Sequence, residues 1–123
     1  MATLNCTFLS GYVTRDAETR FVGAGTALAT FSIGVTRSWQ DKDGKWQKET
    51  SFVDVKAWAA LAERTAPHLT KGAEVAVSGR LEQERWTSPD GAPRSKLVVV
   101  ADRIDVIGQP KEKRQPDSDD VPF

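Results

Sequence analysis

A chain of 123 residues suffices for one domain with one modest core. Seventeen Lys and Arg balance seventeen Asp and Glu, which argues against a binder that works by bulk positive charge, because neutralising phosphates ordinarily takes an excess of basic residues. No apolar run is long enough to span a membrane, the start Met1-Ala-Thr-Leu-Asn-Cys6 lacks the basic and apolar regions of a signal peptide, and one cysteine excludes an internal disulfide; the expectation is a cytoplasmic protein.

Leu4 to Val13 reads as a first strand. Leu4, Cys6 and Phe8 share one face, and that parity makes Cys6 a core thiol. Gly11 marks a bulge or bend. Asp16 to Arg20 is polar, and Gly23-Ala-Gly25 is a turn. Ala27 to Arg37 is the clearest strand. Ala27, Ala29, Phe31, Ile33 and Val35 alternate with Leu28, Thr30, Ser32, Gly34 and Thr36, and the odd set faces the core. Trp39 follows, then Asp41-Lys-Asp-Gly-Lys45, a hairpin signal. A two-residue turn at Asp43-Gly44 would set Ile33 opposite Asp54 and mix core with charge, since opposed residues share a face. An odd-length loop or a bulge pairs Val35 with Val53 and Ile33 with Val55, and this is the register expected.

Ser51 to Trp58 is the third strand. Val53, Val55 and Ala57 can face the core, which leaves Phe52, Asp54, Lys56 and Trp58 on the other side. Two large aromatics then sit among charges on a face that should meet water. That pattern fits a surface on which bases of single-stranded nucleic acid stack. A helix or second subunit covering the face explains it nearly as well.

Trp58 to Thr70 is the one helical candidate. Proline costs roughly 3 kcal/mol in a helix interior, so Pro67 predicts a short helix ending near Thr65 or Ala66. His68, the lone histidine, has no second histidine or spare cysteine with which to hold a metal. Ala73 to Trp86 is the fourth strand, with Val75, Val77, Gly79 and Leu81 inward and Ser78, Arg80, Glu82, Glu84 and Trp86 outward. Pro89-Asp-Gly91 turns the chain into the fifth strand, Lys96 to Ile107, which Gly108 ends. Five strands with one short helix between the third and fourth make an all-β chain in the order of an OB-fold, a five-stranded Greek-key barrel. The predicted domain is residues 1–108.

Gln109 to Asp120 carries Pro110, Pro116, mixed charge and almost no apolar side chain, the composition of a disordered linker. The chain then ends Asp117-Ser-Asp-Asp-Val-Pro-Phe123. A terminal aromatic on a polar tail has a use only if a partner receives it.

The chain resembles the bacterial single-stranded-DNA-binding proteins over residues 5–108 and again at the C-terminal tip. The matching stretches are Glu18-Thr-Arg-Phe21, Ser38-Trp39, Thr50-Ser-Phe-Val-Asp-Val55, Trp58 with Leu61-Ala-Glu63, Lys71-Gly72, Gly79-Arg-Leu81, Trp86-Thr87 and Asp119-Asp-Val-Pro-Phe123. The resemblance implies stacking of bases on Trp39, Phe52, Trp58 and Trp86, and phosphate contacts at Arg20, Lys42 and Lys71. It implies a partner-binding tip of Asp117, Asp119, Asp120, Val121, Pro122 and Phe123, received by replication and repair proteins. It also implies a nucleoid-associated homotetramer with no catalysis, cofactor or metal. Open edges of a small barrel and outward apolar residues such as Leu9, Leu28 and Val98 fit self-association.

The chain departs from the family pattern in places. Asp54, Glu82 and Glu84 stand where members often carry Arg, Ala60 where many have Lys, and Val53 where many have His at a subunit contact. The acidic departures predict weaker electrostatic binding. Trp46 is extra, and either extends the stacking surface or stiffens the hairpin. An OB-fold module for RNA, or a protein-interaction adaptor for which nucleic acid is secondary, remain as alternatives.

Overall fold

Alternating apolar residues and glycine-bearing turns divide the chain into six strands and one helix. The structure, a computed structural model, describes residues 3–109. The strands are β1 (Thr7–Val13), β2 (Glu18–Val22), β3 (Thr26–Gln40), β4 (Trp46–Trp58), β5 (Glu74–Thr87) and β6 (Pro93–Gly108). Helix α1 (Ala59–Thr65) and a 3-10 turn (Ala66–His68) lie between β4 and β5. The helix stops where Pro67 predicts.

Five strands close a barrel in the order β1-β5-β6-β4-β3, with β3 returning to β1. All these pairings are antiparallel except β4–β6. This is the five-stranded barrel expected. The sixth strand, β2, pairs with β3 at Thr26–Thr30, while the end of β1 pairs with β3 at Ile33 and Gly34. Because β4 occupies the other edge of β3, β1 and β2 are two halves of one bent strand. Alternation did not reveal β2 because four of its five residues are exposed. Gly11, expected at a bulge or bend, lies instead in regular register opposite Val75, where an added Cβ would collide with the carbonyl oxygen of Gly34.

The core holds Ala27, Ala29, Phe31 and Ile33 of β3, Val55 and Ala57 of β4, Val75 and Val77 of β5, and Val99 of β6. Ala62 of α1 and the following Leu69 join it. The hydroxyl of buried Thr65 donates to the carbonyl of Leu61 at 2.7 Å.

Four further sequence expectations are corrected. Cys6 is exposed: Leu9 opposes Val77 and Gly11 opposes Val75, so the odd residues of β1 face the core and the parity of Leu4, Cys6 and Phe8 faces out. Leu81, expected inside, is 43% exposed although it opposes the buried Val99. Leu28 and Val98, expected outside, are buried at 2% and 1% exposure, and Leu9, also expected outside, packs against the core. Leu28 is flanked by Arg20 on one side and Trp58 on the other. Finally, the β3–β4 loop has five residues, the odd length predicted, but the register is two residues from the one expected: Ile33 opposes Val53 and Phe31 opposes Val55. Parity survives such a shift, so core still meets core.

Candidate nucleic-acid interface

The outward face of β4 is built by the pleat. Phe52, Asp54, Lys56 and Trp58 alternate with the inward Val53, Val55 and Ala57. Phe52 is 70% exposed and Trp58 39%. Phe52 lies opposite Gly34, where a Cβ would stand 3.6 Å from its Cε1. Tyr12 opposes the same glycine from β1. The row Tyr12–Gly34–Phe52 borders a groove of about 660 Å³ whose lining includes Thr36, Thr50 and Lys71.

A second row runs Arg20–Leu28–Trp58 across β2, β3 and β4. It puts Arg20 on the face of Trp58, about 10 Å away at two strand spacings. Between the rows lie charged pairs. Lys96 of β6 donates to Asp54 Oδ2 at 3.1 Å, and Lys56 Nζ contacts the carboxylate of Glu84 on β5. Arg15, Glu18 and Arg20 line a cavity of about 230 Å³ with these four residues. Trp86, 47% exposed, opposes Arg94 on the β5–β6 ribbon.

Trp39 and Trp46 fall on different sides of the β3–β4 ribbon. Trp46 opposes Gln40 and has the parity of Phe52; Trp39 opposes Gln47 and has the parity of the core residues. The Arg37 guanidinium lies 4.3 Å from the Trp39 ring centroid, a cation–π distance. Trp39 is therefore not coplanar with the Phe52–Trp58 surface. Lys42 is exposed in the loop between these two tryptophans. Asp41 shapes that loop. Its carboxylate accepts from the backbone N–H of Lys45, the side-chain amide of Gln47 and the N–H of Asp43, and these hold its pKa below the ordinary aspartate value. In the β5–β6 turn, the Ser88 hydroxyl and then the Ala92 N–H do the same for Asp90.

The sequence reading missed Tyr12, Arg15, Lys96 and Arg94. The alternation of β1 contained the signal for Tyr12, which lies on the outward parity once Val13 is placed inside. The others needed the strand order. The predicted tip, Asp117, Asp119, Asp120, Val121, Pro122 and Phe123, lies outside the described residues. Among the described residues no group of three or more His, Cys, Asp or Glu is placed to hold a metal ion.

A profile of the single-strand binding protein family matches residues 4–107. The chain belongs to that family. A single-stranded DNA-binding protein of Treponema pallidum is 38% identical over 88% of this chain and 60% of its own length. One from Aquifex aeolicus is 34% identical over 97% of this chain and 82% of its own. The chain thus spans little more than half of one relative and most of the other. Members of the family named in this way are DNA-binding proteins and not enzymes. Among solved structures, a deletion mutant of the Thermus aquaticus single-stranded DNA binding protein superposes with a TM-score of 0.74 at 29% identity, covering 85% of this chain and 50% of the other. The Plasmodium falciparum SSB in complex with ssDNA gives 0.75 at 22% identity, over 88% of this chain and 96% of the other. The latter likeness concerns the fold alone. The barrel described above is the family fold.

Proposed function

We propose that the protein binds single-stranded DNA without catalysis and with little regard to sequence. One observation supports this most: Phe52 and Trp58 project from a single face of β4 into solvent, with Tyr12, Arg20 and Lys71 beside them. Base stacking on aromatics is worth about 1–3 kcal/mol per base and tolerates any base, because every base has a π face. Phe52, Trp58 and Trp86 are the stacking residues of this reading. Trp46 extends their surface, and Trp39 serves a strand that passes around the ribbon. Arg20, Lys42 and Lys71 take phosphates.

The protein protects exposed strands at the nucleoid during replication, recombination and repair, and its acidic tip recruits partner enzymes through terminal-carboxylate and acidic-motif capture. It works as a homotetramer. Exposed Leu4, Phe8, Leu97 and Ile107 are the apolar surface available for that assembly. Light scattering at micromolar concentration tests the tetramer, and a monomeric mass refutes it. Titration with oligo-dT at moderate salt, read by quenching of tryptophan fluorescence, tests the binding. Saturable quenching is expected; its absence refutes the proposal. Tighter binding to an RNA oligomer of matched sequence would move the function to RNA.

A further inference from the structure

The cations of this face fall into two groups. Lys96 is paired with Asp54 and Lys56 with Glu84. Arg80 is 3.7 Å from Glu82. Arg15 and Arg20 line the same cavity as the first four residues, yet neither makes an ion pair among the described residues. Strand order explains the first group. β6 lies between β4 and β5, so Asp54 and Lys56 on β4 reach Lys96 on β6 and Glu84 on β5. Lys96 and Glu84 are themselves direct cross-strand neighbours. The four charges form a closed, neutral patch midway between Phe52 and Trp58. All four come from strands, so no loop has to order for the pairs to form. The side chains of Lys56 and Glu84 are only 21% and 23% exposed, which weakens solvent screening of their attraction.

We propose that Asp54 and Glu84 determine specificity by masking Lys96 and Lys56 from phosphate. The inference rests on the reading of this face as a single-stranded DNA site. A polyanion without bases meets a patch whose two lysines already hold carboxylates, and it gains only the cations outside the patch, Arg15, Arg20, Lys42 and Lys71. A strand with bases gains the aromatics on either side as well. The face therefore selects for bases over charge, and few counterions are released when it binds. Release sets the salt dependence, at about 0.7 in logarithmic slope for each phosphate contact on a single strand.

The test uses the full chain and the double variant Asp54→Asn with Glu84→Gln. Affinity is measured across a salt series for oligo-dT and for an abasic deoxyribose-phosphate oligomer of the same length. Unmasking two lysines should steepen the salt slope for oligo-dT by about 1.4 and tighten binding of the abasic oligomer at least tenfold (an order-of-magnitude expectation on the same two contacts). A carboxylate with a merely structural role would change the melting temperature and leave both readouts alone. A folded double variant with the parent's slope and the parent's abasic affinity overturns the masking while leaving DNA binding intact. Failure of the parent to bind oligo-dT removes both readings. If the double variant does not fold, Asp54→Asn alone acts on the more exposed pair. It should steepen the slope by about 0.7, and no change overturns the proposal.

Discussion

Tyr12 and Phe52 stand in one cross-strand row with Gly34 between them. The glycine leaves space that a side chain would fill: a Cβ there would come 3.3 Å from Thr50 Cγ2 and 3.6 Å from Phe52 Cε1. Two partly exposed rings thus border one groove, and Lys71 lies along it. Tyr12→Ala should weaken oligo-dT binding by about 1–3 kcal/mol with little loss of stability. Gly34→Val should weaken binding too, by displacing Phe52. Isothermal titration of both variants checks this, and parental affinity in Tyr12→Ala would remove the tyrosine from the site.

Trp58 is the sharpest test of stacking. At 39% exposure it is open to solvent, though less so than Phe52 at 70%. Trp58→Ala should cost about 1–3 kcal/mol in binding and less stability than the roughly 3–5 kcal/mol of a fully buried tryptophan. Urea unfolding and oligo-dT titration on the same variant separate the two effects. A folded variant that binds like the parent would end the role of this residue.

Directly after Trp58, Ala59 holds a positive φ of 55°. This is the left-handed region, which costs a residue with a Cβ about 1–2 kcal/mol. Ala59→Gly relieves that cost and adds unfolded-state entropy in partial compensation. The expected net gain is a few tenths to about 1 kcal/mol, read as a higher urea midpoint with an unchanged slope.

The β3–β4 loop should weaken in acid. Asp41 is held below the ordinary aspartate pKa by hydrogen bonds that need its charge. A depressed folded-state pKa contributes stability above the unfolded value and loses it as pH falls through the folded value. Amide exchange at Lys45 and Asp43, whose N–H groups donate to Asp41, should therefore lose protection below about pH 4. In Asp41→Asn, protection of these amides should no longer depend on pH over that range, after correction for the intrinsic exchange rate.

Removing residues 117–123 should abolish partner binding and leave oligo-dT affinity equal or slightly higher, because a competing anion is gone. Pull-down and titration of the truncated chain check both halves. Loss of DNA binding would make the tip part of the DNA site.

Local chemistry determined much of this molecule. The alternation from Ala27 to Val35 placed the core face of β3, Pro67 ended the helix, and the loop from Asp41 to Lys45 kept core opposite core. The aromatics of β4 announced their face from spacing alone. Tertiary structure decided the rest, because alternation says that two faces differ but not which one turns inward. Pairing of β1 with the core residues Val75 and Val77 put Cys6 outside, and strands on both sides of β3 covered Leu28. Leu81 stayed 43% exposed although it opposes the buried Val99. Closure through the parallel β4–β6 contact also joined residues 42 positions apart, Asp54 and Lys96. A charge read along one strand has no partner until the neighbouring strands are known, so the neutrality of the Asp54, Lys56, Glu84 and Lys96 patch became visible only in the folded barrel.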